Sequence, residues 1–523
     1  MSILSLAPLA APLALIGAGL VARGQKGIRP TKALEVSRWA TVAALVIAVA
    51  SALVLPFTGS ATSPLLGAME VGVSIRLDAL SVIMMVLVAF VGTIVVQFSR
   101  NYMDGDPEQG RFMGQLCITV ACVMLLVLSG NLVQLAVSWI MTSLAFDRLL
   151  VFYKDRPKAR LAARKKFIVA RIGDMCLIAA VVLVVSAFGT SDIAQILSSA
   201  DGLTRAPDGV TLATFLFVVA AITKSAQFPT HGWLTEVMET PTPVSALLHA
   251  GIINAGGFLI VRMADVMVLS GSALHVLAMV GGFTALFGAI VMLTQTSVKV
   301  SLAWSTVSQM GFMLLQCGLG LFPLAVLHIV THSLYKAHAF LSSGSVVEIA
   351  RASWIPDATK PDAGRLALGL VMALALYGVI GALFGLSVQT PVQVFALGTI
   401  LVMGLTFLFA QASTGKTSQY ILVRILGTSV VVSVAYFALH GLSGLALGHM
   451  LPAPLQPDLW AVAIMVLAVV SFAVVTFLQI FQPSNATSSF WRAARVHAAN
   501  GFYANTYFDR FVGALNRPAG SSN

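Results

Sequence analysis

Charged residues are scarce in this sequence. Of its 523 residues only 10% are Asp, Glu, Lys or Arg, whereas 58% are hydrophobic. A soluble domain usually has about 25% charged residues, so the composition favours a single polytopic membrane protein and excludes a disordered chain and a coiled coil. Only four cysteines occur, all in apolar segments. This excludes a secreted disulfide scaffold and gives no support for a zinc site or an iron–sulfur cluster.

The motifs of common enzyme classes are also lacking. The sequence contains no nucleotide-binding fingerprint, no nucleophile elbow and no metal-ligand motif. An enzyme in its own right is therefore not expected. The same absence leads us to expect neither a metal nor a cofactor in this chain.

What the sequence does contain is long apolar runs. A membrane-spanning helix needs about 20 mostly apolar residues, and about fifteen segments meet this requirement. We predict an all-α, polytopic membrane helix bundle of about 14 to 15 transmembrane helices. The first segment has no basic residues before it and is expected to be a retained helix, not a cleaved signal peptide. The predicted spans are 3–22, 39–57, 77–98, 112–128, 131–153, 167–188, 210–230, 243–263, 273–293, 300–320, 322–347, 366–387, 391–411, 421–440 and 460–482.

The positions of the basic residues orient these spans. If the N-terminus lies outside, 24 of the 31 Lys and Arg residues fall in or beside cytoplasmic connections or in the C-terminal tail, seven of them in 154–166. Three fall on the other side: Arg76, Arg205 and Arg262. This asymmetry follows the positive-inside rule and places the C-terminus in the cytoplasm. Topology and anionic lipid then explain the net charge of +11, and no nucleic-acid partner is expected.

The chain divides into a transmembrane domain, 1–482, and a C-terminal tail, 483–523. Aromatic residues are interspersed with arginines in the tail, which suits a helix lying in the cytoplasmic membrane interface. A partly disordered end is the alternative interpretation.

Lys224 is the clearest candidate for chemistry inside the membrane. It lies within a predicted span, Pro229 follows five residues later, and His231 and His249 come after the break. Proline removes a helix hydrogen bond, and freed backbone groups at membrane depth are tolerated only against protein or water. These residues predict a polar interior in which burial favours the uncharged lysine, so that Lys224 exchanges a proton near neutral pH. A salt-bridged or snorkelling lysine is the structural alternative.

A second set of titratable residues, His328, His332 and Lys336, recurs at every fourth position. On a helix this spacing places all three side chains within a sector of about 80°. Titratable groups stacked in this way suit a proton relay, since each must reach the next directly or through one water. Satisfied core histidines are the alternative, and chelation of a metal by His328 and His332 lacks a nearby carboxylate or thiolate.

Further polar residues are possible supporting groups. Ser301, Ser305 and Ser308 share a helix face with Lys299 at its cytoplasmic end, where they fit a water file or close helix packing equally well. Arg171 and Asp174 are spaced for a structural ion pair, and Asp147 needs a partner other than the adjacent Arg148. Glu236 and Glu239 are assigned to a cytoplasmic turn. There they either form an entrance for cations or are solvated without a function.

Three segments resemble the antiporter-like membrane subunits of respiratory complex I, especially its subunit-five type, and of multisubunit cation/proton antiporters. They are TKSAQFPTHGWLTEVMETPTPVSALLHAG (223–251), WSTVSQMGFM (304–313) and THSLYKAHAFLSSGSV (331–346). The resemblance implies inverted repeats with discontinuous helices. It also implies that five residues match the central proton axis of the family: Lys224, His249, His328, His332 and Lys336.

The departures from that family indicate a particular branch. Ile140 occupies the place where the family has a glutamate that partners the broken-helix lysine, and Asp147 is the nearest acid that can substitute. The segment 366–387 has no charge where the family usually has one, and no long lateral helix is expected because the sequence ends about forty residues after its last span. These features resemble the membrane subunit of DAB inorganic carbon accumulation systems of the bacterial inner (plasma) membrane.

The resemblance leads to one principal functional hypothesis and two alternatives. The first is a proton- or sodium-conducting subunit of a complex that accumulates CO2 as bicarbonate, with zinc held by a large peripheral carbonic-anhydrase-like partner. The second is a proton-pumping subunit of a complex I-like NADH dehydrogenase or a multisubunit Na+/H+ antiporter. The third is a membrane anchor that holds a partner on the inner face.

Overall fold

The computed structural model describes residues 3–68, 71–153, 157–237, 240–344, 363–412, 419–481 and 488–514. Long α-helices dominate these ranges. In chain order they are α1 (Ala10–Arg23), α2 (Thr31–Thr58), α3 (Ala79–Tyr102), α4 (Gln109–Val127), α5 (Leu132–Leu150), α6 (Pro157–Phe188), α7 (Ile193–Ala200), α8 (Val210–Lys224), α9 (Gly232–Glu236), α10 (Thr242–Ala250), α11 (Ala255–Arg262), α12 (Ala264–Met267), α13 (Gly271–Met292), α14 (Val298–Gly318), α15 (Phe322–Leu341), α16 (Ala363–Leu383), α17 (Val392–Ala412), α18 (Gln419–Leu447), α19 (Leu459–Phe481), α20 (Ser489–Ala499) and α21 (Ala504–Ala514). Three 3-10 helices accompany them: Ile3–Leu9, Ile252–Asn254 and Gly501–Tyr503.

Two small antiparallel sheets occupy the connection between α2 and α3, where no strand was predicted. Strand β1 (Ala61–Thr62) pairs with β4 (Arg76–Leu77), and β2 (Leu66–Ala68) pairs with β3 (Val71–Val73). The register sets Ala61 opposite Leu77 and Gly67 opposite Gly72. These strands have two or three residues each and fold the connection back over the end of the helix bundle.

The predicted all-α membrane bundle is confirmed. Twelve helical segments within the described ranges are long and apolar enough to cross a membrane. Two of them, Leu6–Arg23 and Thr242–Arg262, join consecutive shorter helices. The three other predicted spans are helical as well, but they do not meet the same criterion. Helix α8 has 15 residues, or about 22 Å at 1.5 Å per residue, which is shorter than a hydrocarbon core of about 30 Å. Helices α14 and α15 are long enough but less apolar, because they carry the polar residues discussed above.

The span predicted over 210–230 is interrupted at Lys224. Helix α8 ends there, Ala226 adopts a left-handed backbone conformation, and α9 resumes only at Gly232. Pro229 cannot donate a backbone hydrogen bond, and the amide of Phe228 donates to the hydroxyl of Thr284 instead of to its own helix (3.2 Å). The helix that carries Lys224 is therefore discontinuous.

A second interruption, which the sequence did not predict, divides the span assigned to 243–263. Helix α10 ends at Ala250, and α11 begins at Ala255 after a 3-10 turn. The backbone of Gly251 leaves the helical region (φ −123°, ψ −72°). The side chain of Asn254 then donates to the carbonyl of Ala250 (3.1 Å), so that a carbonyl left free by the break is satisfied.

Small residues hold α13 and α14 close together. A Cβ atom added at Gly281 would lie 2.6 Å from the carbonyl oxygen of Gly311, and one added at Gly311 would lie 2.5 Å from the amide of Ala285. Ser308 donates to the carbonyl of Ala285 (2.8 Å). This is the close backbone approach through which membrane helices gain packing energy, and it fixes the position of α14.

The structure moves the start of the sixth span and buries three basic residues. The apolar pattern started the sixth span at residue 167 and left 154–166 as a connection, but α6 begins at Pro157, so that Lys165 and Lys166 lie within a helix and are buried. Arg262, counted at the end of the span 243–263 on the opposite side, is 2% exposed and pairs with Asp78. The topology count treated all three as free charges, but each contacts an acidic side chain of another segment.

Candidate functional site

Lys224 lies at the C-terminal end of α8 and is buried. Its ammonium group donates to the hydroxyl of Ser143 (2.9 Å) and to the carbonyl of Trp139 (3.3 Å), and it lies 4.4 Å from the centre of the Trp139 ring. The unpaired carbonyls at a helix C-terminus favour a positive charge. The broken helix and α5 thus supply oxygen atoms and a π face to Lys224, but no carboxylate.

Asp147 contacts a different lysine from the one the sequence suggested. Its carboxylate lies 2.7 Å from the ammonium group of Lys166, which also donates to the carbonyl oxygen of Ser143 (3.0 Å). The backbone carbonyl of Ser143 therefore accepts a hydrogen bond from Lys166, and its hydroxyl accepts one from Lys224. Asp147, two helical turns beyond Ile140, is thus linked to Lys224 by hydrogen bonds through Lys166 and Ser143.

Removing the Ser143 hydroxyl is expected to weaken any proton exchange through Lys224. In Ser143→Ala the ammonium group loses the side-chain oxygen that holds it, and a hydrogen bond to a charged group is worth about 1.5–3 kcal/mol. We expect proton flux in liposomes to fall roughly tenfold or more. The control is Thr142→Val, since the hydroxyl of Thr142 bonds to the carbonyl of Ser138 in its own helix. Equal flux in both variants would contradict the role of the bridge.

The two helix breaks lie against each other and against α15. Ser225, the first residue after α8, donates to the carbonyl of Ile253 (2.9 Å). Asn254 donates to the hydroxyl of Ser333 (2.9 Å). The breaks therefore bring the end of α8, the end of α10 and the middle of α15 together inside the bundle.

His249 is fully buried at the end of α10. Its Nδ1 atom lies 2.9 Å from the hydroxyl of Thr306, and its ring stacks on Phe340 with centroids 4.3 Å apart. The Nε2 atom of His332 lies 3.2 Å from the backbone oxygen of His249. The structure thus brings His249 and His332 together from helices that are 83 residues apart in sequence.

The predicted row on α15 is present. The rings of His328 and His332 have centroids 6.1 Å apart, and Lys336, one turn further on, is fully buried and donates to the carbonyl of Leu302 (3.0 Å). His328 contacts the side-chain oxygen of Gln316 (3.0 Å). All three titratable groups therefore face the interior formed with α10 and α14.

A cavity of about 510 Å³ lies beside this row. His328 and His332 line it from α15, Gln316 lines it from α14, and Tyr436 lines it from α18. The polar ends of these residues thus border a space large enough for many water molecules, each of which takes about 30 Å³.

The other predicted residues make separate contacts. Arg171 and Asp174 pair at 2.5 Å on α6, and Lys299 donates to Thr242 (3.2 Å), near the start of α10. Glu236 contacts Lys165. Glu239 lies outside the described residues. Within the described ranges, no group of three or more His, Cys, Asp or Glu side chains is placed to hold a metal ion.

His231, which the sequence placed in a polar interior, lies instead among aromatic rings. It is fully buried, and its ring centre is 5.8 Å from Phe228, 5.2 Å from Phe287 and 5.1 Å from Trp304. Neither ring nitrogen has a hydrogen-bond partner in the described part of the chain. The segment after the break thus places His231 against rings of α13 and α14.

The C-terminal helices contact the end of the bundle that carries α9. Lys165 on α6, which is 1% exposed, forms ion pairs with Glu236 on α9 and with Asp509 on α21. Asn505 donates to the hydroxyl of Thr235 (3.3 Å). Burial raises the pKa of Glu236, an effect that the charge of Lys165 opposes. A single buried lysine thus joins the broken helix to the tail.

Removing this lysine is expected to release the tail at neutral pH. In Lys165→Met, Glu236 and Asp509 lose their counter-charge, and the pKa of Glu236 rises further. A carboxylate whose pKa is raised in the docked state stabilises docking below its ordinary pKa and loses that effect as the pH rises. We therefore expect rapid proteolysis of α20 and α21 at pH 7.5 and protection in mild acid. The exposed Lys32→Met is the control, and a pH-independent cleavage pattern would contradict the prediction.

Three contributors to the site were missed from the sequence: Ser143, Lys166 and Thr306. Lys166 was counted as a topological charge, and the two hydroxyls lie among many similar residues in apolar helices. A usable signal exists only for Lys166. It lies 19 residues from Asp147, close enough for two helices joined by a short connection to pair them.

Comparison with known proteins gives the family. The family model for the transmembrane part of NADH:quinone oxidoreductase and the Mrp antiporter matches residues 129–354, and that for the N-terminus of complex I chain 5 matches residues 65–113. The probable inorganic carbon transporter subunit DabB2 of Halothiobacillus neapolitanus is 38% identical over 84% of this chain and 80% of its own. The chain belongs to the DabB branch of this family. The probable subunit DabB of Hydrogenovibrio crunogenus is 39% identical over 84% of this chain and 82% of its own.

The fold of this DabB-type chain also occurs in a larger respiratory assembly. A chain of respiratory complex I from Thermus thermophilus with bound NADH superposes with a TM-score of 0.56 at 18% identity, over 95% of this chain and 99% of the other. This likeness concerns the fold. Together with the apolar helices and the family models, it indicates a multi-pass membrane protein.

Proposed function

We propose that this protein is the proton-conducting membrane subunit of an energy-coupled complex that accumulates inorganic carbon. The observation that carries the proposal is a pair of buried lysines, Lys224 and Lys336, neither of which has an ion-pair partner among the described residues. A buried, unpaired ammonium group is costly. Such lysines persist in a membrane protein where they bind and release protons.

The arrangement around Ser143 supports proton exchange at Lys224. Two ammonium groups meet at one residue, and Asp147 neutralises only that of Lys166. While the Lys166–Asp147 pair stays in place, Asp147 offsets the charge of Lys166 and favours the charged form of Lys224. Loosening of that pair increases the repulsion between the two lysines and favours loss of the proton from Lys224. The state of one ion pair thus changes the proton affinity of the next lysine.

The groups beyond Lys224 supply a route across the bundle. Ser225 bonds to Ile253, four residues after His249, and His249 contacts His332, one turn before Lys336. Neutral imidazoles transfer protons by accepting at one nitrogen and donating at the other. The proposed path is therefore Lys224, His249, His332, with Lys336 and His328 on either side of the last residue.

Coupling to inorganic carbon is proposed from the names of the relatives and from the family branch. We propose that protons enter the cytoplasm through this chain and that a large peripheral zinc subunit, similar to carbonic anhydrase, hydrates CO2 to bicarbonate in one direction. We also propose that the N-terminus lies outside and the C-terminus in the cytoplasm of a bacterial inner (plasma) membrane, an orientation that the charge asymmetry supports. A reporter fused to the C-terminus that fluoresces only in the cytoplasm tests the orientation.

The alternative function is proton pumping in a complex I-like NADH dehydrogenase or a multisubunit Na+/H+ antiporter. It is favoured by the descriptions of the two family models. Proton pumping would use the same buried lysines, so these residues do not distinguish it from the carbon-accumulating function. The partners do, because a dehydrogenase brings flavin and iron–sulfur proteins and a carbon-accumulating complex brings a zinc protein.

The test is growth of a bacterium without carbonic anhydrase that expresses this chain together with a candidate zinc subunit. We expect growth in air with the wild-type pair and none with Lys224→Ala or His332→Ala. The exposed Lys32→Ala serves as the control. Growth of both axis variants at the wild-type rate would refute the relay. Co-purification of flavin and iron–sulfur proteins in place of a zinc protein would refute the carbon-accumulating assignment.

A further inference from the structure

Helix α18 carries a stripe of polar residues that the proposed path does not yet use. Ser429, Ser433, Tyr436 and His440 are spaced by four, three and four residues, which places them within a sector of about 60°. Both serines are fully buried. Tyr436 lines the 510 Å³ cavity opposite His328 and His332.

Each of these four side chains has a buried polar atom without a hydrogen-bond partner among the described residues. The atoms are the hydroxyls of Ser429, Ser433 and Tyr436 and the Nδ1 atom of His440. Hydroxyls in helices usually bond to a carbonyl one turn earlier, as Thr428 does with Arg424 (2.8 Å). Buried polar atoms are rarely left without partners. These atoms therefore require a small polar partner, and water is the simplest molecule that can hydrogen-bond to all four.

The two rows of polar residues follow each other across the membrane. In the orientation proposed above, α15 starts at the outer side, so Lys336 is the innermost of its row and His328 the outermost. Helix α18 ends at the outer side, so His440 lies one turn beyond Tyr436 in the outward direction. The neighbouring segment 366–387 of the sequence contains no charged residue that offers another route.

We propose that the cavity and the stripe on α18 form the outer branch of the proton path, in which Tyr436 and His440 pass protons between His328 and the outer face of the membrane. This inference rests on the proposed function. The Tyr436 hydroxyl donates to one neighbour and accepts from another, so a proton passes without a charged intermediate on the ring. Ser429 and Ser433 bind the water that extends the chain inward.

Proton flux into liposomes is the first test, with the purified full chain and a pH-sensitive dye inside. Tyr436→Phe removes only an oxygen atom and keeps the aromatic packing, and His440→Ala removes the imidazole. We expect each to reduce flux roughly tenfold or more, in the range typical of lost acid–base groups. His449→Ala, an exposed histidine beyond the outer end of the same helix, is expected to conduct like the wild type.

Water accessibility is the second test, and it does not depend on flux. In Ser433→Cys, a membrane-impermeant thiol reagent added from outside is expected to label the new cysteine, while the parent chain, whose cysteines are Cys117, Cys122, Cys176 and Cys317, gives the background. No conduction by the wild type would overturn the proposed function itself. Conduction by the wild type together with unchanged flux in both variants, or no labelling of Ser433→Cys, would overturn the outer branch alone.

Discussion

Replacing Lys224 with methionine is expected to abolish proton conduction while leaving the protein at least as stable as the wild type. Methionine matches the length of the lysine stem and brings no charge. The variant loses the group that binds the proton, and loss of an essential acid–base group costs about 10²- to 10⁴-fold in rate. The substitution also removes a buried ammonium group that has no carboxylate partner in the described structure. Removing such a charge is neutral or stabilising when the replacement packs well.

The arginine substitution at the same position separates charge from proton exchange. Arg keeps the positive charge next to Ser143 and Trp139, but its guanidinium does not release a proton under physiological conditions. Lys224→Arg is therefore expected to be as inactive as Lys224→Met. Flux in liposomes and thermal unfolding in detergent measure the two effects, and the exposed Lys32→Met is the control. An active arginine variant, or a methionine variant that is inactive only because it unfolds, would refute the assignment.

The membrane fold and the row on α15 could be predicted from the sequence because each depends on a regular pattern. A run of about 20 apolar residues has few structures available in lipid other than a helix. Spacing by four residues places His328, His332 and Lys336 on one face whatever the helix packs against. The break after Lys224 was signalled by Pro229, whose effect on a helix is local.

The partners of these residues could not be predicted, because they depend on contacts between distant segments. The break at Gly251 looks like any glycine in a membrane helix until Asn254 is seen to satisfy the free carbonyl of Ala250. Lys166 was counted among the topological charges because its pairing with Asp147 needs the geometry of two adjacent helices. The ion pair of Arg262 could not be predicted either, since its carboxylate partner, Asp78, is 184 residues away.

The ion pair of Arg262 leads to the largest expected effect on stability. Arg262 at the end of α11 lies 2.5 Å from Asp78, the N-cap residue of α3, and both are buried. Arg262 also donates to the hydroxyl of Ser81 (2.6 Å). Burial alone would raise the pKa of Asp78, but the charges of Arg262 and Arg76 outweigh burial and hold that pKa well below its usual range. The pair therefore stabilises the fold at neutral pH and loses this contribution only in strong acid.

Arg262→Met is expected to destabilise the protein by about 3 kcal/mol, the lower end of the range for breaking a buried pair, because Arg76 still contacts Asp78 at 2.6 Å. The double variant Asp78→Asn/Arg262→Met is expected to be more stable than Arg262→Met alone. Asparagine keeps the helix cap and removes the carboxylate that the first substitution leaves without its partner. Thermal unfolding in detergent compares both with Arg205→Met, which replaces an exposed arginine. Additive losses in the double variant would show that the two side chains stabilise α3 and α11 independently and not as an ion pair.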